Sequence, residues 1–175
     1  MKEDIKKKAA AVTMLLLDVD GVLTDGSLYY DKDGEAIKRF DVRDGAALVW
    51  WKRAGFDVAV LTGRTSPQTD SRCRELGIDK VIQGAIRKLP VFNDFLVSEN
   101  IGPDKIAFVG DDVHDLPIIK RAGVSFAPVD AVPEVIEKVD VVLDTKGGYG
   151  CVREAIEYLL KANGKWEEIT AIYHE

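Results

Sequence analysis

Little in this chain could bind a soft metal or close a disulfide, for it holds two cysteines, Cys73 and Cys151, and two histidines. The cysteines lie far apart, outside any metal-ligand spacing. Both sit in helical patterns where a small buried thiol is ordinary, so they read as reduced core residues. A basic excess is also lacking: 24 Lys and Arg face 30 Asp and Glu, a net charge of −6. That argues against a nucleic-acid footprint but not against a small anion held at a local positive site. No run approaches the roughly 20 apolar residues that span a bilayer. The opening Met-Lys-Glu-Asp-Ile-Lys-Lys-Lys has no apolar core of a secretion signal. These absences predict a soluble, cytoplasmic protein with no membrane partner. Internal repeats and low-complexity stretches are missing as well. The linker-like stretches are the charged first turn and the tail after Asn163, about 163–175.

What is present is a chain of 175 residues, 46% of them hydrophobic, enough for one domain with a real core. Apolar runs rich in Val, Ile and Leu recur at Thr13–Val19, Asp57–Leu61, Lys80–Ile82, Lys105–Val109, Val124–Phe126 and Val139–Leu143. Continuous runs of this kind fit a parallel sheet covered on both faces. Between them, Gly45–Ala54, Pro67–Leu76, Arg87–Glu99, Asp112–Arg121, Pro133–Lys138 and Cys151–Ala162 carry helical spacing. Strand and helix alternate, which predicts a Rossmann-like, doubly wound α/β domain. One region breaks the alternation: Ser27–Asp31 and Glu35–Asp41 flank the turn signal Lys32-Asp33-Gly34, predicting a hairpin flap over about 26–41.

In an open parallel sheet, ligands bind beyond the carboxyl ends of the strands. Strand one ends in Asp18-Val19-Asp20-Gly21, strand two in Thr62-Gly63-Arg64 and the fourth in Gly110-Asp111-Asp112, while Lys88 follows the third at a helix start. Asp18 and Asp20, two apart at a strand end, would repel one another if left alone. A hard divalent cation such as Mg²⁺, which bridges carboxylates to a substrate phosphate, resolves this, and Asp111 offers a further ligand. The metal would also shield a phosphate ester from the charge of Asp18, whose carboxylate can then attack phosphorus to give an aspartyl phosphate. Asp20 is placed to protonate the leaving alkoxide and later to deprotonate water. Thr62 and Lys88 would hold the phosphoryl oxygens.

Each piece alone is ordinary. Asp and Gly at a strand end form turns; Lys88 would be a solvated helix lysine, and Gly110-Asp111-Asp112 a helix cap. The reading rests on their joint order along one sheet.

That ordered set resembles the haloacid dehalogenase superfamily, whose four motifs match Asp18-Val-Asp20-Gly-Val-Leu-Thr24, Thr62-Gly63-Arg64, Lys88 and Gly110-Asp111-Asp112-Val-His-Asp115. The resemblance implies that Asp18 is nucleophile and metal ligand and that Asp20 is acid/base and gives a backbone carbonyl to magnesium. It also implies that Asp111 completes the ligands, with Asp115 and Asp112 supporting the metal shell. Over nearly the whole chain the sequence is similar to a narrower branch, the 3-deoxy-D-manno-octulosonate 8-phosphate phosphatases of lipopolysaccharide precursor synthesis. The marks are Phe40-Asp41-Val42-Arg43-Asp44-Gly45, Leu76-Gly77-Ile78, Gln83-Gly84 and Gly147-Gly148-Tyr149-Gly150-Cys151-Val152-Arg153-Glu154.

Members of that branch lack a large cap domain, as the short flap here would imply, and form tetramers in which a neighbour's flap and tail help close each site. The substrate-contacting residues carried over are Asp41, Val42, Arg43, Asp44, Gly45, Arg64 and Arg72, whose cations suit a phosphorylated sugar acid. Two positions depart from the branch: Val49 stands where some members have arginine, and Asp41 replaces an asparagine. Two readings stand beside this one. A 2-keto-3-deoxy-nononate 9-phosphate phosphatase is disfavoured by Arg64, and a silent oligomerisation module by the filled catalytic positions. His114 reads as a cap or solvated group, and Trp50, Trp51 and Phe56 as core or subunit contacts.

Overall fold

The computed structural model describes residues 3–173. Six parallel strands form the central sheet: β1 (Met14–Leu17), β4 (Asp57–Leu61), β5 (Lys80–Ile82), β6 (Ile106–Val109), β7 (Val124–Ala127) and β8 (Val141–Val142). Their order is β5-β4-β1-β6-β7-β8, so the chain winds outward from β1 in one direction and then in the other. The crevice between β1 and β6 is where such a sheet binds ligands. Two short strands, β2 (Tyr29–Tyr30) and β3 (Ala36–Ile37), pair antiparallel as the flap.

All four residues of β1 are buried. Leu15 and Leu17 point into one core, with Val60, Val109, Trp51 and Ile156, while Met14 and Leu16 point into another, with Leu61, Phe92, Phe95, Phe108 and Ile118. Period-two alternation therefore survives with both faces apolar, which is why the run reads as continuous hydrophobicity. Helices α1 (Glu3–Ala11), α2 (Val42–Arg53), α3 (Pro67–Glu75) and α7 (Cys151–Ala162) feed the first core. Helices α4 (Lys88–Ser98), α5 (Leu116–Ile119) and α6 (Pro133–Ile136) feed the second. On α7, Cys151, Val152, Ala155, Ile156, Leu159 and Leu160 make one buried stripe at helical spacing. Both cysteines are free and buried.

The strands and most helices lie close to where periodicity puts them, but the helix expected over Asp112–Arg121 is a 3-10 turn (Val113–Asp115) followed by the short α5, and the chain ends differ too. The charged first turn belongs to α1, whose acids Glu3 and Asp4 sit at its start and Lys8 near its end, matching the helix dipole. Its Ala9 is fully buried, and the Ala9 carbonyl accepts a hydrogen bond from Asn163 Nδ2 (3.2 Å). The tail forms α8 (Trp166–Thr170), anchored where Trp166 packs edge-on against Trp50 with centroids 6.0 Å apart. Trp50 Nε1 donates to Tyr173 Oη (3.1 Å). Short charged or aromatic segments look like linkers because most of their stabilisation comes from the surface they dock on. The first two and last two residues of these end segments lie outside the described residues.

Candidate active site

Register brings the chemistry together. Leu17 pairs with Val60 on one side and Val109 on the other, so the residues following β1, β4 and β6 emerge at one level. A cavity of about 440 Å³ opens there, lined by Asp18, Asp20, Gly21, Thr62, Gly63, Arg64, Asp111, Asp112 and His114, with Gly26 and Ile86 at its margin. The turn after Asp18 is held by Thr24, whose hydroxyl contacts the carbonyl of Val19 (3.4 Å) and accepts from the N–H groups of Gly21 (3.4 Å) and Gly26 (3.3 Å). Gly21 has φ +85°, and a Cβ there would lie 2.0 Å from Asp111 Oδ2, so the turn and the Asp111 carboxylate fit only without a side chain. Behind it, a Cβ on Gly147 would meet the Gly21 carbonyl oxygen at 1.8 Å. The loop of Gly147 therefore backs the turn by direct backbone approach.

One half of the site is a buried ion cluster. Lys88 Nζ sits 2.8 Å from Asp18 Oδ2 and 2.6 Å from Asp115 Oδ1, with all three side chains nearly or wholly out of water. Burial opposes the Lys88 charge, but the two carboxylates outweigh it and raise its pKa. Burial likewise works against an ionised Asp18, yet His114, Lys88 and the Val19 N–H together hold it below the ordinary carboxylate range. Asp115 is buried beside Asp18 and is pushed up. Its other oxygen accepts from the N–H groups of Asp111 (3.0 Å) and Asp112 (3.3 Å), fixing the loop after β6. Asp112 caps the 3-10 turn Val113–Asp115.

The other half has oxygens to spare. Among the described residues, Asp111 Oδ1 and Asp20 Oδ2 are buried atoms with no hydrogen-bond partner. Burial, then the charges of Asp18, Asp115 and Asp112, push the Asp111 carboxyl up to about 8. An orphaned carboxylate oxygen in a polar crevice, as Asp111 Oδ1 is beside Asp18, is what a hard cation with oxygen ligands satisfies. A second convergence, of Asp18, His114 and Asp115 with ligand atoms within 4.8 Å of one another, is already explained by the Lys88 ammonium between Asp18 and Asp115. The cation therefore fits the Asp18, Asp20 and Asp111 side.

The sequence-derived residues divide accordingly. Asp18, Asp20, Thr62, Arg64, Asp111 and Asp112 line the cavity, with Lys88 and Asp115 directly beneath. Arg64 is half exposed, its Nε 3.8 Å from Asp20 Oδ2. Asp41, Val42, Arg43, Asp44, Gly45 and Arg72 do not line this chain's cavity. Asp41 caps α2 by accepting from the Arg43 N–H (2.8 Å), and the Arg43 guanidinium turns back to Asp41 and to the Tyr149 carbonyl. Asp44 is buried, accepting from the Arg153 N–H (2.7 Å). Arg72 pairs with Glu75 (2.9 Å) in a separate groove with Phe40 and Gln68, close against Gly45. Val42 is exposed.

Two residues escaped sequence reasoning. His114 Nε2 lies 3.5 Å from Asp18 Oδ2, a cavity residue and not merely a solvated cap. Lys38, on the flap stem, forms an ion pair with Asp20 Oδ1. Position inside the fourth motif could have drawn attention to His114; nothing local marks Lys38.

This strand order and this carboxylate set define a haloacid dehalogenase-like hydrolase, and residues 78–156 match the model of that family. The 3-deoxy-D-manno-octulosonate 8-phosphate phosphatase of Escherichia coli K12 is 42% identical over 165 residues, 94% of this chain and 88% of that protein. The Yersinia pestis enzyme of the same name is 36% identical over 97% of this chain and 91% of its own. Among solved structures, that of the Moraxella catarrhalis phosphatase in complex with magnesium ion, phosphate ion and KDO superposes with TM-score 0.96 at 33% identity, covering 99% of each chain. The chain belongs to the 3-deoxy-D-manno-octulosonate 8-phosphate phosphatase family.

Proposed function

We propose that this protein is a magnesium-dependent phosphomonoesterase that hydrolyses 3-deoxy-D-manno-octulosonate 8-phosphate to the free sugar acid and phosphate. The observation that carries the reading is the divided site: an ionised Asp18 anchored by Lys88, facing the unpartnered oxygens of Asp20 and Asp111 across one cavity. The names of the relatives from Escherichia coli and Yersinia pestis support the substrate.

Asp18, Asp111 and the backbone carbonyl of Asp20 would hold Mg²⁺, with Asp115 and Asp112 fixing the loop that carries Asp111. When bound, the ion offsets the negative charge that would repel a phosphate ester. An oxygen of the Asp18 carboxylate attacks phosphorus, the bond from phosphorus to the sugar oxygen breaks, and Asp20 gives that oxygen its proton. Thr62 and the Lys88 ammonium steady the phosphoryl oxygens during transfer. A water then attacks phosphorus, Asp20 takes its proton, the bond to Asp18 breaks and phosphate leaves.

The sugar carboxylate meets Arg64 at the cavity mouth. Residues 41–45 and Arg72 act across a subunit boundary in a homotetramer, a reading supported by their place outside the lining of this chain's own cavity and by the exposed flap residues Leu28, Tyr29, Tyr30 and Ile37. The described residues contain no helix long and apolar enough to cross a membrane.

The test is phosphate release from a panel of sugar phosphates with Mg²⁺. The eight-carbon acid ester should be preferred over the nine-carbon one, and Asp18→Asn should lose at least roughly a thousandfold in kcat. Undiminished turnover in that variant overturns the nucleophile. Light scattering with activity decides assembly; a fully active monomer overturns the shared site.

A further inference from the structure

The flap stem carries a charge into the catalytic turn. Lys38 directly follows β3, and its ammonium, with a side chain only 6% exposed, pairs with Asp20 Oδ1. A lysine is rarely withdrawn this far from water without a specific partner. Both flanks of Lys38 are pinned. Before it, the Ala36 carbonyl accepts from Gln68 Nε2 (2.5 Å) of α3. After it, Arg39 Nη1 donates to the Gly148 carbonyl (2.6 Å), and the Arg39 guanidinium lies 4.3 Å from the Tyr149 ring centroid. The ammonium is thus delivered from a stem tied to α3 on one side and to the glycine loop behind Gly21 on the other. The two oxygens of Asp20 end up unlike: Oδ1 is held by Lys38, whereas Oδ2 is a buried atom without a hydrogen-bond partner, on a residue that lines the cavity.

We propose that Lys38 is the positioning residue of this reaction, a flap lysine that fixes Asp20 by one oxygen so that the other alone meets the leaving group. It does not touch the reacting atoms; it sets the rotamer of the group that does. A carboxylate free to turn would present either oxygen at varying distance, and proton transfer falls steeply outside hydrogen-bond reach. The flap therefore contributes to chemistry through its stem. The inference rests on the acid role of Asp20 proposed above, and the test separates the two.

The full-length Mg²⁺ enzyme is assayed as wild type, Lys38→Met, Lys38→Arg, Asp20→Asn and the double variant Asp20→Asn/Lys38→Met. One substrate is the sugar acid phosphate, whose alkoxide must be protonated to leave; the other is 4-nitrophenyl phosphate, whose phenolate leaves without help. Values of kcat/KM report the steps up to departure of the leaving group. Lys38→Met should lower kcat/KM for the alkyl ester by about tenfold to a hundredfold and for the aryl ester by less than about threefold. Lys38→Arg should recover most of the loss. Added to Asp20→Asn, Lys38→Met should cost nothing further, since a group acting only through Asp20 has nothing left to position. Equal losses on both esters, or additive losses in the double variant, would show that Lys38 binds phosphate or supports the fold, and would overturn the inference. If Asp20→Asn itself fails to discriminate between the esters, the acid role fails instead. A melting curve on each variant, with Lys38→Gln as a second removal, keeps the comparison to folded protein.

Discussion

The two halves of the cavity floor solve opposite problems. On the Lys88 side the carboxylates are saturated: Asp18 and Asp115 share one ammonium at 2.8 and 2.6 Å, and Asp115 takes two backbone N–H groups as well. On the Asp111 side each acid keeps a buried oxygen with no partner. Of the four carboxylates gathered here, the protein has fully satisfied only the two that need fixed positions. Saturation makes a rigid base for the nucleophile, while the unsatisfied oxygen of Asp111 holds the place of an ion and that of Asp20 is left for the leaving group. The teaching is that charge pairing and its deliberate omission can be neighbours, and that the omission is the more informative.

Removing the saturated half should have the largest effect. Lys88→Met leaves Asp18 and Asp115 buried together without a counter-charge, and breaking such a cluster costs about 3 to 5 kcal/mol. Urea unfolding should register that loss, and phosphate release should be nearly abolished. A variant as stable as the wild type would show that water or a bound cation compensates for the ammonium, and the contrast between the halves would collapse.

The unsatisfied half is sharpened by Gly21→Ala. The added methyl meets Asp111 Oδ2 at 2.0 Å on a backbone with φ +85°, so Asp111 must move. Because the change acts through a ligand and not on the ligand itself, the Mg²⁺ concentration for half activation should rise roughly tenfold to a hundredfold. Gly34→Ala at the flap tip is the control: φ there is +80°, with nothing near the new methyl. It carries the backbone cost, about 1 kcal/mol or somewhat more, and should leave the Mg²⁺ curve where it was.

Much of this was legible in the sequence, for identifiable reasons. Strands buried on both faces leave an unbroken apolar run, so Leu15, Leu16 and Leu17 announced β1, and a switch-point crevice follows from strand order alone. The flap was found by its turn, but its strands are shorter than Ser27–Asp31 and Glu35–Asp41 suggest. Its second arm ends at Ile37, opposite Tyr29, and beyond it Lys38, Arg39 and Asp41 turn their side chains to Asp20, Gly148 and the cap of α2. Helix α2 likewise starts at Val42, ahead of the expected Gly45, since Asp41 caps it. The pairing of Lys38 with Asp20 has no periodicity and no motif, only tertiary proximity. Arg72 reads as a cation near substrate but lies outside this chain's own cavity, close against Gly45, because sequence order says nothing about which side of α3 faces the crevice.

Asp44 offers the smallest test and the cleanest contrast with Asp111. It too is a buried acid with one unpartnered oxygen, but it lies outside the cavity, bonded to the Arg153 N–H. Burial, moderated by that N–H and reinforced by Asp41, pushes its carboxyl up from 3.8 to about 6. The folded state therefore binds a proton that the unfolded chain has already released between these values. Stability falls as pH rises through that window and stays lower above it. The part due to Asp44 is on the order of 2 kcal/mol. Asp44→Asn keeps an oxygen for the Arg153 N–H and cannot ionise, so denaturant curves of this variant should lose that portion of the decline between about pH 4 and 6. Mg²⁺ should stabilise wild type and variant alike, since no ion is held at Asp44. If Mg²⁺ stabilises the wild type but not the variant, Asp44 belongs to the metal's surroundings, and the unpartnered oxygens of this protein can no longer be sorted into those that await a cation and those that are merely buried.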